Sequence, residues 1–283
     1  LGGMPKDAAP YQIGALKGFT AAAGVNLPLR TRLNANFSYS LRMQNDTFLP
    51  HTITMSGNDD LVVPLKSLNG RVHTLLGNLS LVSRPLPPLT LAAKYRIYDF
   101  NDDSDVVHFN KTVINDRSIS GTRRAGRWSY QRQNADLDAR YQIVRPLAVT
   151  VGAGWERWER NEHREVPETD ELFGKLALDA TPWDWVLARL KYTPSFRRIS
   201  KYTTHAHAEH TVIEDDAGAL AGQSTLLRKH DEAERDRQKV EFQLQLAPTD
   251  TVSITPTFAY KYDDYDFGYG PNGWFQLGLR NET

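Results

Sequence analysis

Residues 32–43 constrain this chain more than any other segment. Leu33, Ala35, Phe37, Tyr39, Leu41 and Met43 alternate with Arg32, Asn34, Asn36, Ser38, Ser40 and Arg42. Successive side chains of an extended strand point to opposite faces, so this run has one apolar face and one polar face. The pattern returns at 134–143, 149–156, 186–193, 239–246 and 252–261, and more weakly near 13–26, 73–84, 89–100 and 172–180. Alternation of this kind predicts about ten strands. Strands of soluble domains average about 5–6 residues, whereas a tilted membrane-crossing strand needs about 9–11. Many of these runs reach the longer figure. Strand length alone still leaves a large soluble sandwich as an alternative.

The connections decide between them. Short Pro-bearing turns begin at 27, 85, 144, 181 and 247, while longer polar loops fall near 45–72, 101–127, 159–171 and 199–233. Two strands separate each turn from the next, so the turns gather at one end and the long loops at the other. Transmembrane barrels sort their connections in this way, with short periplasmic turns and long outer loops. A sandwich has no physical reason to do so. Tyr95, Tyr98, Trp128, Tyr130, Trp155, Trp158, Tyr260 and Tyr262 lie toward the long-loop ends, and Trp183 and Trp185 flank a short turn. Rings at both rims are expected to form aromatic girdles at the two lipid–water interfaces.

Composition removes other classes. The chain has 34 Lys+Arg against 34 Asp+Glu, a formal net charge of zero, which gives no support to nucleic-acid binding or a polybasic membrane tether. No stretch approaches the ~18 apolar residues of a spanning helix. Cysteine is absent, so this chain carries no disulfide, no thiolate metal site and no covalently attached c-type haem. No phosphate-binding loop, nucleophile elbow or His-Glu-x-x-His motif occurs, so no residue set supports an enzyme, and no cofactor is expected. There is no basic-then-apolar leader. Strand patterning runs up to both ends, so residues 1–283 read as a single barrel segment, incomplete at both ends.

If the apolar sides face lipid, the other sides line a lumen. The candidate lumen residues are Arg32, Arg42, Lys94, Arg96, Asp136, Asp138, Arg140, Glu156, Arg189, Lys191, Lys239 and Glu241, with Lys175 and Asp179 on the same face. Both signs are mixed and no ring of one sign is visible. Charges so placed must be hydrated or paired, because bare burial costs many kcal/mol. The interior is therefore wet or filled by a polar partner.

Several segments resemble the MtrB/PioB family of outer-membrane β-barrel proteins. These are 27–40 (LPLRTRLNANFSYS), 91–103 (LAAKYRIYDFNDD), 134–141 (NADLDARY), 154–160 (GWERWER) followed by 166–171 (VPETDE), and 265–270 (YDFGYG). The resemblance implies an all-β antiparallel meander belonging to a large transmembrane β-barrel, open and curved in this segment, in the outer membrane of a Gram-negative bacterium. It implies a sheath that holds a periplasmic decahaem c-type cytochrome across the membrane for extracellular electron transfer, and that meets an extracellular multihaem cytochrome. The barrel itself would perform no redox chemistry. On that reading the twelve lumen residues dock the cytochrome. The rival is a diffusion porin or a solute transporter.

Three smaller signals remain. Asp99, Asn101, Asp103 and Asp105 have the alternating oxygens of a calcium loop, but Ser104 and Asn110 stand where an EF-hand wants Gly and Glu, so a solvated acidic loop is expected. Asp263, Asp264 and Asp266 carry the same ambiguity. His205, His207 and His210 have metal-ligand spacing in a polar loop, where incidental exposure is expected. The charged run 228–237 reads as a short helix in the outer loop or as the emerging top of a strand, with the strand slightly favoured.

Overall fold

The computed structural model describes residues 14–48, 65–109, 112–114, 117–119, 123–161, 164–203, 213–214, 220–221, 229–265 and 281–282. Nine long strands run β1 (Ala15–Leu27), β2 (Thr31–Gln44), β3 (Gly70–Leu86), β4 (Leu89–Asp102), β5 (Tyr130–Val144), β6 (Leu147–Arg160), β7 (Glu168–Trp183), β8 (Val186–Ile199) and β9 (Arg235–Thr249). A tenth is broken at Thr255-Pro256 into β10 (Val252–Ile254) and β11 (Thr257–Tyr265), since proline cannot donate to a ladder. A two-residue β12 (Asn281–Glu282) pairs with β11. Three two-stranded ribbons stand apart from this sheet, and two of them, Val107–Phe109 with Arg123–Ala125 and Thr112–Ile114 with Arg117–Ile119, lie in the β4–β5 connection.

Every neighbour in the main sheet is antiparallel, and the path from β1 to β12 does not close among the described residues. The long strands have 13 to 17 residues, more than a bilayer crossing requires, so they project beyond the membrane. The short connections fall at 28–30, 87–88, 145–146, 184–185 and 250–251; the first three contain proline, and Pro182 and Pro248 lie at the ends of β7 and β9 just before the last two. In the first of these, Leu29 and Arg30 both adopt left-handed backbone, with φ of 59° and 52°. That conformation strains any residue but glycine, asparagine or aspartate.

Register fixes the two faces. Leu33, Leu81, Ala93, Leu137, Ala153 and Gly174 lie side by side across six strands, as do Asn34, Ser80, Lys94, Asp136, Gly154 and Phe173 on the other side. Among the described residues no second layer covers the apolar side. Phe19, Leu137, Leu172, Leu176, Phe258 and others there are exposed, Leu172 by 59%. The buried residues in the body of the strands, among them Ala148, Ala177, Asp179 and Ser195, lie on the polar side. Burial on one side of a single sheet means that this side is concave. A curved sheet with a greasy convex face and a polar concave face is the wall of a transmembrane β-barrel. The sandwich alternative fails because, among the described residues, the apolar side chains meet only their neighbours in the same sheet and remain exposed.

Candidate functional site

The inner face is built by parity. Arg32 and Arg42 are ten residues apart on β2, Lys94 and Arg96 two apart on β4, and Asp136, Asp138 and Arg140 follow at steps of two on β5. Even spacing keeps each set on one side of its strand. Cross-strand register then places all twelve sequence-derived candidates on the concave side: Lys94 opposite Asp136, Arg96 opposite Asn134, Glu156 opposite Glu171, and Lys191 opposite Glu241. Arg189 stands opposite Asp179, and Lys239 opposite Thr193 and Lys261.

Seven of the twelve make ion pairs, namely Asp138, Arg140, Glu156, Arg189, Lys191, Lys239 and Glu241. Asp179, only 5% exposed, accepts from Arg189 at 2.6 Å and from Arg140. Lys175 reaches Asp138 at 2.8 Å across the gap left by Gly152. Glu241 receives Lys239 at 2.8 Å and Lys191 at 3.2 Å. Higher on the same face, Arg235 donates to Glu171 at 2.7 Å, and Arg237 grips the buried Asp263 in a fork of 2.5 and 2.9 Å. Forked guanidinium–carboxylate contacts add geometric definition to their charge attraction.

The other five behave differently. Arg32 donates to Asn34 at 2.9 Å, and Arg42, Lys94, Arg96 and Asp136 have no ion-pair partner among the described residues. The four cations are exposed.

Toward the long-loop end an aromatic group occupies the inner face, which alters the girdle expectation. Trp155 and Trp158 are three apart, as are Tyr95 and Tyr98, so odd spacing sends them to opposite sides. Tyr95 and Trp155 face outward beside Ala135 and Leu172, and Tyr260 does so beside Val240. Trp155 donates its indole N–H at 2.9 Å to Asp170, which Arg157 holds by two contacts of 2.9 Å. That is an interfacial anchor of the expected kind. Tyr98, Tyr130 and Trp158 instead face inward. Tyr130 stacks on Phe100 with ring centroids 5.3 Å apart, and Trp158 lies 5.5 Å beyond it. Arg132 and Arg160 sit over the Trp158 ring at 4.9 and 5.1 Å. Glu156 locks the group by accepting from Arg132, Asn134 and the Trp158 indole at 2.6 to 3.1 Å. At the other end Trp183 and Trp185 stack at 5.8 Å, exposed, around a short turn.

Above this group the connections fold inward. The β6–β7 loop brings Arg164, Glu165 and Val166 against Lys229, Asp231, Glu232 and Ala233, which precede β9. Arg164 pairs with both Asp231 and Glu232, and Lys229 pairs with Glu165 at 2.5 Å. Arg197 rises from β8 and donates to the backbone carbonyls of His230, Asp231 and Ala233 at 2.6 to 2.9 Å. Glu165 and Glu232, at 1% and 0% exposure, are the largest fully buried side chains among the described residues. Burial pushes the Glu232 carboxyl above the usual carboxylate range, with Glu165 adding to it and Arg164 opposing. The same burial acts on Glu165, but Lys229 outweighs it and holds that carboxyl low. Asp231 is lowered by Arg164 against its own burial. A cavity of about 320 Å³ opens beside this clasp, bounded by Trp128, Tyr130, Trp158, Arg160 and Arg164.

The alternation did not place Arg132, Glu171, Arg235, Arg237 and Asp263 on the inner face. Parity extended past the cleanest alternating windows would have found each, since Arg132 keeps step with Asn134 and Arg237 with Lys239. Of the acidic-loop candidates, Asp99 and Asn101 lie on β4, Asp103 pairs with Arg127 at 3.6 Å, and Asp105 accepts from Asn69 at 3.4 Å. Asp263 is the buried inner-face residue already described, and Asp264 lies on the opposite side of β11. His205, His207, His210 and Asp266 lie outside the described residues. Of the run 228–237, residues 230–232 form a turn and the strand begins at Arg235.

The family model described as outer membrane beta-barrel porin, MtrB/PioB, matches residues 18–272. The chain belongs to the MtrB/PioB family. Its place is accordingly the bacterial outer membrane. No curated protein matches it. Among solved structures it is similar to the in-vitro folded trimer form of OmpT, an outer membrane protein of Vibrio cholerae, at 9% identity and a TM-score of 0.42, covering 95% of this chain and 87% of that one. It is also similar to a loop L8 deletion mutant of the same protein, at 9% identity and a TM-score of 0.33, covering 89% and 86%. Likeness at those scores carries no argument about role, and the MtrB/PioB match rests on the sequence alone.

Proposed function

We propose that this porin-like wall is part of a sheath that holds a periplasmic multihaem c-type cytochrome across the outer membrane, so that electrons cross between periplasm and exterior. The observation that carries the reading is the inner face, charged along its height in both signs with no ring of one sign among the described residues. A solute pore selects by a ring of like charge or a narrow constriction. A sheath needs a hydrated polar wall that accepts a folded, water-soluble cargo without an apolar interface. The chain supplies no thiol for attaching haem, so the redox groups belong to the cargo and the barrel's role is mechanical and electrostatic. An extracellular multihaem cytochrome would meet the long-loop end, where the clasp and the aromatic group lie.

The test is purification of the full-length protein from its native membrane. A red complex with haem absorbance in fixed ratio to barrel is expected. A colourless protein that conducts in bulk across planar bilayers would establish the diffusion porin instead.

A further inference from the structure

We propose that the inner face of β1 to β4 is the surface on which the cargo docks, and that it receives an acidic face of a folded protein. The proposal rests on the sheath reading and assigns its contact surface. Two features converge there. First, the wall is low along β1 and β2: β1 turns Gly18, Thr20, Ala22 and Gly24 inward, and β2 sets Ser40 and Ser38 opposite the first two. Small side chains lose little or no rotamer freedom when covered and let a rigid surface approach the backbone. Second, four exposed cations, Arg32 and Arg42 on β2 and Lys94 and Arg96 on β4, face inward without an ion-pair partner among the described residues. Asp136 faces Lys94 from β5, and Asp102, at the rim, is committed to the backbone amides of Ser104 and Trp128. The surface is therefore net positive, and long Lys and Arg stems can carry their charge to a partner.

Across the barrel wall the conditions reverse. From β5 to β9 the inner candidate charges other than Asp136 are held in ion pairs, and a cargo carboxylate approaching Arg140 or Arg189 would have to displace Asp179. Complementary charge steers and orients an encounter, and free cations do so where paired ones do not. The occupant favoured is thus a protein with carboxylates on the side turned to β1–β4, held by contacts that salt weakens.

The experiment uses the full-length protein in its native membrane. Arg42→Glu, Lys94→Glu and Arg96→Glu are combined, and haem retained per barrel is measured at low and high salt. The control exchanges an inner-face pair outside the twelve candidates in place, Glu171→Arg with Arg235→Glu. The combined reversal is expected to lower retained haem about tenfold and to abolish its salt dependence, while the exchanged pair retains haem as the parent does. If the reversed barrel fails to assemble, judged by heat-modifiable migration, the neutral set Arg42→Gln, Lys94→Gln and Arg96→Gln is read in its place. Unchanged retention would overturn the docking surface and leave the sheath standing. A parent protein without haem would overturn the sheath, and the surface with it. Unchanged retention with altered anion selectivity in bilayers would assign these cations to ion passage and also overturn the proposal.

Discussion

The wall from β1 to β4 and the wall from β5 to β9 share one outer face and differ inside. Outside, both are apolar in the same register, with Leu79 and Leu176 equally open to lipid. Inside, the first is low along β1 and β2 and cationic, and the second is filled with paired long side chains. Lipid makes one demand on every strand, so the outer faces converge. The interior makes no such demand, so charge can be satisfied within the wall or left for something else. Where it is satisfied within, the sheet gains cross-strand ties, each a modest stabiliser when partly exposed. Where it is left, the wall remains free to bind.

The largest test concerns the shared outer face. Leu79→Arg and Leu176→Arg should each cost about 2–4 kcal/mol of folding stability near the bilayer midplane. Urea unfolding in lipid vesicles would measure both, and a cost confined to one would show that the two walls do not cross the membrane alike. The second test separates the inner faces. Asp179→Asn strands Arg140 and Arg189 and should cost about 2 kcal/mol, reduced from a fully buried case because both cations are partly exposed. Asp136→Asn, on a carboxylate with no ion-pair partner, should stay within about 0.5 kcal/mol. Equal costs in the same assay would erase the distinction between satisfied and free charge.

The third test sharpens the contrast at the mouth, where burial is greatest. Glu232 holds its proton more tightly in the closed clasp than in an open one. Its contribution is therefore fully present below the ordinary carboxylate range and is lost as pH rises through its raised value. Glu165 and Asp231, held low, contribute above that range and lose their share as pH falls through their lowered values. Hydrogen exchange of amides 229–234 should thus be slowest at mildly acidic pH. Glu232→Gln, which keeps a neutral hydrogen-bonding group, should flatten the alkaline side of that profile. A variant that follows the parent at every pH would remove Glu232 as the cause.

The smallest effect comes from making one wall resemble the other. Asn78 faces Arg96 across β3 and β4. Asn78→Asp should add a cross-strand ion pair worth a few tenths of a kcal/mol, on the order of other exposed pairs. It should also lower haem retention by removing one free cation. Added stability with unchanged retention would show that Arg96 takes no part in docking.

Much of this was legible before any fold was known. Alternation at 32–43 gives the faces of β2, and proline at 28, 87, 146, 182 and 248 gives the short-turn end. Those signals are local, and they survive because lipid enforces them strand by strand. The aromatic rims were half legible: the rings were visible, but Tyr98, Tyr130 and Trp158 were grouped with Tyr95 and Trp155 by height along the strand when parity puts them on the other side. The clasp was not legible at all. Arg164 meets Glu232 across 68 positions of sequence, between connections that have no periodicity to read.

By itself, then, the order of residues determined that each long strand carries one apolar side and one polar side, because a two-residue period is imposed by strand geometry and needs no neighbour. Only the assembled sheet decided which hydrated charges are free. Arg140 and Arg189 both close on Asp179 because register and curvature bring β5, β7 and β8 together at that height, whereas Arg42 and Arg96 face neighbours that offer no carboxylate in reach. Pairing depends on distances between strands, and no pattern within one strand encodes them.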